Sequence, residues 1–151
     1  MNFSYGSYGY IAESDLEEAR YNRERPKPCV YYSHQACEKI LKQYIQMYFR
    51  SEDISGFLHS HKVKKLAVKT GIRELMNYRS ALSDMQDYYF DGRYPSDDYV
   101  EPTVEDAYRI LNVAENVMSF VIAKMDELEM ERKNRQTQRE GPTEYFGNEE
   151  C

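Results

Sequence analysis

The chain has no tryptophan, no CxxC pair and no apolar run approaching the roughly 18 residues of a membrane span. Each absence closes a class. Without such a run, and without a basic region leading into an apolar one at the N-terminus, neither a spanning helix nor a secretory leader is indicated, and the expected compartment is the cytoplasm. Three cysteines, Cys29, Cys37 and Cys151, are odd in number and unsuitably spaced for a disulfide framework or a zinc knuckle. GxGxxG, GxxxxGK[ST], GxSxG and HExxH are all missing, which removes support for the common phosphate-loop and hydrolase mechanisms. No metal and no cofactor is expected. A net charge of -6 argues against a general nucleic-acid coat but leaves room for a local basic site.

What is present is helical. The 151 residues make one domain, and no strand-like alternation of useful length occurs. Fifteen tyrosines carry much of the apolar area on rings whose hydroxyls need a partner, which suits clefts better than deep core. Residues 1–9 (MNFSYGSYG) have no period and are expected to be a flexible segment. Ile11, Leu16 and Ala19 then share a face, with Ser14 and Glu17 as a capping pair. Pro26 and Pro28 break that helix and open the next. There Val30, His34, Cys37, Leu41, Ile45 and Tyr48 step by three and four, with Glu38, Lys39, Lys42, Gln43 and Gln46 on the opposite side.

The stretch 49–56 reads as a loop and 59–69 as a short helix. Leu75, Tyr78, Leu82, Met85 and Tyr89 define the next helix, which Asp91-Gly92 stops. Val104, Ala107, Leu111, Ala114, Met118, Val121, Met125 and Leu128 keep a three-four repeat over about 38 Å of helix. Ile110, Val113, Val117, Phe120 and Ile122 add a second apolar face, expected to serve partly as a dimer contact. From Glu129 the chain turns polar and is expected to be a tail. The resulting architecture is all-α, an up-and-down four-helix bundle with one additional short helix, spanning 10–128 between the segment 1–9 and the tail 129–151.

The stretch Gln86–Pro95, QDYYFDGRYP, is the leading functional candidate. Pro95 drives Tyr94 out of the helical region, so Arg93 and Tyr94 fall on an extended connector. Eight acids (Asp84, Asp87, Asp91, Asp97, Asp98, Glu101, Glu105, Asp106) surround Arg93, the one base among them. Arg93 is then either a connector residue paired with those acids or a planar fork for a phosphate, with Tyr94 or the Tyr88-Tyr89 pair offering a ring to a base or sugar. Lys62, Lys64, Lys65, Lys69 and Arg73 form a basic run free of acids, either a solvated helix face or a phosphate-docking surface. His34 with Cys37, and His59 with His61, each supply two potential metal ligands but lack a third and fourth.

In order along the chain, SDLEEAR, HQACEKILKQYI, SHKVKKL, QDYYFDGRYP and VEDAYRILNVAENVMSFV resemble the motifs of a HEPN domain, over roughly Tyr10 to Met125. The second is similar to the family's QAxEKxLK pattern, and Ser60-His61 take the place of its Thr-His-Asp-Leu. The resemblance implies a four-helix bundle, frequent dimers and an interhelical groove with a polar and basic lining. It also implies a nucleotidyltransferase partner in toxin–antitoxin-like modules, or, in another branch, ribonuclease activity. Those ribonucleases carry an arginine four to six residues before a histidine. Here Arg25 and Arg50 stand with eight residues between them and His34 and His59, so this chain resembles the Arg-Tyr-Pro version instead. The expectation is therefore a non-catalytic module binding a nucleotide or RNA phosphate. Arg93 and Tyr94 lead the site, with Gln35, Glu38, Lys39, Lys42, His61 and Tyr89 around the groove. A ribonuclease with displaced catalytic residues and a purely structural dimeric protein are the alternatives.

Overall fold

The computed structural model describes residues 1–91 and 99–141. Six α-helices and one 3-10 turn account for most of them, and no strand occurs among the described residues: α1 (Tyr8–Tyr21), α2 (Pro26–Tyr48), α3 (Ser55–Leu58), α4 (Val63–Thr70), the 3-10 turn Arg73–Tyr78, α5 (Arg79–Asp91) and α6 (Val104–Glu140). The fold is an all-helical bundle, with α1, α2, α5 and α6 as its long members and short helices between α2 and α5.

The first helix starts earlier than Tyr10. Ser7, not Ser14, is its N-cap and accepts a hydrogen bond from the Tyr10 amide at 3.2 Å. The buried face is Gly9, Ala12, Leu16 and Ala19, while Ile11 points outward. Small residues at three of those four positions let α1 lie close against α2. Gly9 serves the approach twice: its amide donates to Gln43 Oε1 at 2.9 Å, and the ring of Phe3 occupies the space a Cβ would need. Phe3 thus folds back over the first turn of α1 and packs on the core.

At the start of α2, Pro26 and Pro28 lack the amide donors a cap would have to satisfy, and Arg25 caps through no side chain. This helix is the hub: α1, α6, α4 and α5 all pack on it. Val30, His34, Cys37, Leu41 and Ile45 are buried as their spacing predicts, but so are Glu38, Lys42 and Gln43 on the side expected to face water. A helix with neighbours all round has no solvent face along its middle.

The helix expected to run from Leu75 to Tyr89 is divided, with the 3-10 turn leading into α5; Leu75, Leu82, Met85 and Tyr89 nonetheless point inward. Gly71 ends α4 at φ 69°, where a side chain would be strained. Thr103 and Asp106 form a reciprocal capping box on α6.

One expectation about α6 is corrected. It does not end near Leu128 but runs to Glu140, because 129–140 is rich in Glu, Arg, Lys, Gln and Met and meets no breaker before Gly141-Pro142. Of its second apolar face, Ile110, Val113 and Val117 are buried where α1, α2, the 3-10 turn and α5 pack on α6, while Phe120 stays 36% exposed.

Candidate functional site

The Glu38 carboxylate lies at the crossing of α2 with the segment entering α4. Its Oε2 accepts from Lys39 Nζ at 2.6 Å and from Lys42 Nζ at 3.2 Å, and its Oε1 pairs with His61 Nδ1 at 2.8 Å. The four side chains differ in access: exposure is 0% for Glu38, 4% for Lys42, 23% for Lys39 and 46% for His61. A ligand therefore reaches Lys39 and His61, while Glu38 and Lys42 hold them in place. Burial opposes the charge on Glu38. The hydrogen bonds from Lys39 and His61, with the attraction of both lysines, outweigh it and keep the carboxyl below its ordinary range. Burial pushes the Lys42 ammonium down, against the pull of Glu38.

His61 is held at two points. Besides its ring contact with Glu38, its carbonyl accepts from His34 Nε2 at 3.0 Å, across the α2–α4 gap. A carbonyl only accepts, so Nε2 of His34 carries the proton. Burial drives the pKa of His34 down to about 4, so the ring is neutral and its Nδ1 is a bare acceptor, buried with no partner among the described residues. The same ring stacks on Tyr89 of α5 at 4.0 Å between centroids and 8° between planes. Tyr89 also faces His61 at 5.8 Å and lies near-parallel to Tyr31 at 6.0 Å. One tyrosine thus touches both histidines of the cluster.

From α1, Asp15 completes the surroundings. Burial lifts its pKa to about 6, against the attraction of Lys39. No local signal marks Asp15, which reads as one acid of a polar helix face until α1 is laid on α2. His34 was legible as a core position but not as a tether for His61.

Of the expected site residues, Glu38, Lys39, Lys42, His61 and Tyr89 converge. Gln35 sits one turn before Lys39 and donates to the Tyr31 hydroxyl at 3.1 Å, with its Oε1 buried and unpartnered among the described residues. Arg93 and Tyr94 lie outside the described residues. Three acids of their neighbourhood are already engaged: Asp84 by Arg109 at 3.1 Å, Glu101 by Lys27 at 3.6 Å, and Asp106 by Tyr88 and the Thr103 amide. The basic run is partly committed as well, since Lys69 pairs with Glu52 at 3.0 Å and lies over Phe49 and Phe57. His34 and Cys37 do not act as a metal pair: the ring is turned to Tyr89 and the thiol is buried, its pKa pushed up to about 12.

No helix among the described residues is long and apolar enough to cross a membrane. No curated protein and no solved structure gives a significant match to the chain. The family model described as the HEPN domain matches residues 8–130, which takes in every residue of the Glu38 cluster and most of the bundle, and the chain belongs to the HEPN domain family.

Proposed function

We propose that this HEPN domain is a nucleotide- or RNA-phosphate-binding module that works without catalysis, with Lys39 and His61 as the described residues that meet the phosphate. The observation that carries this is the fully buried Glu38 carboxylate, which fixes one ammonium and one imidazole at the surface from beneath. Lys39 and Lys42 balance Glu38 and Asp15 in charge, but the groups the cluster turns to solvent are the Lys39 ammonium and the His61 imidazole, with the Glu38 carboxylate held beneath them. An anion is its natural complement, and charge-assisted hydrogen bonds to phosphate are the strong kind. Family membership fits a nucleotide- or RNA-related role. Arg93 and Tyr94 join the same site in this reading. The homodimer and the nucleotidyltransferase-type partner of a toxin–antitoxin-like system follow from the resemblance and, with a cytoplasmic setting, belong to the proposal.

Calorimetric titration with nucleotides and short RNA, at two salt concentrations, tests it. Binding should weaken with salt, and Lys39→Met or His61→Gln should lower affinity at least tenfold while leaving the fold intact. Affinity unchanged in both variants sinks the reading. Sedimentation and co-purification of a neighbouring gene product address the dimer and the partner.

One observation favours catalysis instead. With Nδ1 on a carboxylate and the ring 46% exposed, Nε2 of His61 has no hydrogen-bond partner among the described residues, and an imidazole so held is equipped for general acid–base work. Cleavage of labelled RNA by the pure protein, abolished by His61→Gln, would establish that reading; intact RNA rejects it.

A further inference from the structure

Beside the charged cluster, the start of α2, the end of α5 and the segment 99–102 enclose a cavity of about 450 Å³, within the size range of small-molecule sites. Tyr31, Tyr32, Tyr88, Tyr89 and Tyr99 line it, with Lys27. Tyrosines of a folding core would be closed over. Here Tyr31 remains 45% exposed, so the space opens to solvent.

The rings are fixed in advance. The Tyr88 hydroxyl donates to Asp106 Oδ2 at 3.1 Å, and that carboxylate is held in turn by the capping box of α6. The Tyr31 hydroxyl accepts from Gln35, and its ring meets Tyr32 edge-on at 5.3 Å and Tyr89 at 21° between planes. Tyr89 is itself clamped against His34. Side chains already immobilised lose little entropy when a ligand arrives.

Flat π-faces with few polar groups recognise a planar aromatic ligand, and stacking on tyrosine tolerates any base. An inorganic anion makes no use of such walls. Tyr89 is shared with the charged cluster, so the cavity's occupant has His61 and Lys39 on its flank. Tyr31, Gln35 and Lys39 also follow one another by four along α2, placing ring and ammonium on one helix face about 12 Å apart along the axis. A molecule aromatic at one end and anionic at the other matches that layout.

We infer that the tyrosine-lined cavity takes an unpaired nucleobase, stacked against the Tyr31–Tyr89 wall, from a ligand whose phosphate lies toward Lys39 and His61. This rests on the phosphate-binding reading above and adds the base-recognising half of the site. The base comes from a free mononucleotide or from a single RNA strand.

Full-length protein is titrated by calorimetry with adenosine, ribose 5-phosphate, AMP and a tetra-adenylate. AMP should bind more tightly than ribose 5-phosphate. Tyr31→Leu, which keeps apolar bulk but loses the ring, should weaken AMP on the order of tenfold and leave ribose 5-phosphate unchanged. Tyr31→Phe, which keeps the ring, should bind AMP as the parent does, and it guards against a misfolded leucine variant. Tetra-adenylate tighter than AMP assigns the base to an RNA strand; equal affinities assign it to a mononucleotide. Equal binding of AMP and ribose 5-phosphate, an unaffected Tyr31→Leu, or no binding by any probe at millimolar concentration overturns the inference. Adenosine binding separates the two readings. If Lys39→Met and His61→Gln leave ribose 5-phosphate untouched while adenosine still binds through Tyr31, the phosphate reading fails and the cavity stands.

Discussion

Replacing Glu38 by glutamine keeps the side chain's size and its acceptor for His61 but removes the charge. What that costs depends on the cations left behind. Lys39 is exposed enough to swing into water, so its loss of a partner is minor, in line with the ~0–1 kcal/mol of exposed pairs. Lys42, at 4% exposure, has nowhere to go and becomes an unpaired ammonium in the bundle interior. Breaking a buried pair from one side typically costs about 3–5 kcal/mol. For a domain of this size each kcal/mol lowers the melting temperature by about 2–4 °C, so Glu38→Gln should melt roughly 6–20 °C lower. The penalty is specific to a half-removed pair. Lys42→Met alone leaves Glu38 with Lys39 and His61 and should cost less, and the double variant should recover much of the loss, because replacing both members by neutral groups is often near neutral. Urea denaturation of the two single variants and the double one gives the coupling energy directly. A Glu38→Gln penalty below about 1 kcal/mol, or a double variant as unstable as the sum of the singles, would refute the claim that Lys42 sets the cost.

Other outcomes follow from the same geometry. His34 is neutral when folded, with a pKa near 4 against 6.5 for the free residue, so the unfolded chain binds more protons between those values. Stability should therefore fall by ~3 kcal/mol as pH drops from about 6.5 to 4. Asp15 works in the opposite sense: its carboxyl, raised to about 6, is protonated first in the folded state and adds stability as pH falls from about 6 toward 3.8. Asp15→Asn should consequently make the acid decline steeper, and urea midpoints measured across that window would show a parallel curve if the two groups do not oppose one another. Thr103→Ala removes one half of the capping box and should cost about 1 kcal/mol in thermal denaturation, with no change attributed to the cap if the melting point holds. Lys39→Met should separate binding from stability, lowering nucleotide affinity in calorimetry while its melting curve overlays that of the parent. Coupled loss of both would recast Lys39 as structural.

Periodicity located the helices because it reports one burial direction per element. Leu82, Met85 and Tyr89 on α5, and Ala107, Leu111, Ala114 and Met118 on α6, face inward as their spacing requires. The same logic misplaced Glu38, Lys42 and Gln43, since it assigns the polar side of α2 to water and has no means of seeing that α1 and α4 cover it. Their burial is a tertiary fact. Gln43 is buried to catch the Gly9 amide, and Glu38 to catch His61, and both partners lie more than twenty residues away in sequence. The end of α6 escapes the pattern for a related reason: the apolar repeat fades after Leu128, but good helix formers, with Tyr48 donating to Glu129 at 3.1 Å, carry the helix on to Gly141.

The resemblance to the family marked the EK pair and the histidine before α4, but not why they belong together. That reason is electrostatic. A carboxylate excluded from water must gather donors: Lys39 and Lys42 come from α2 itself and fill one oxygen, and His61 meets the other, tying the α4 entry onto α2, where the His61 carbonyl reaches His34 and His34 lies against Tyr89. Charge burial at one residue thus orders the ring stack that forms a wall of the tyrosine cavity, and the two halves of the site are coupled through α2 and not merely adjacent. Loss of the Glu38 charge should then loosen the cavity as well as the phosphate contacts. Adenosine affinity in Glu38→Gln, measured at a temperature where the variant is fully folded, reads that coupling, and a value equal to the parent's would show that the stack stands without it.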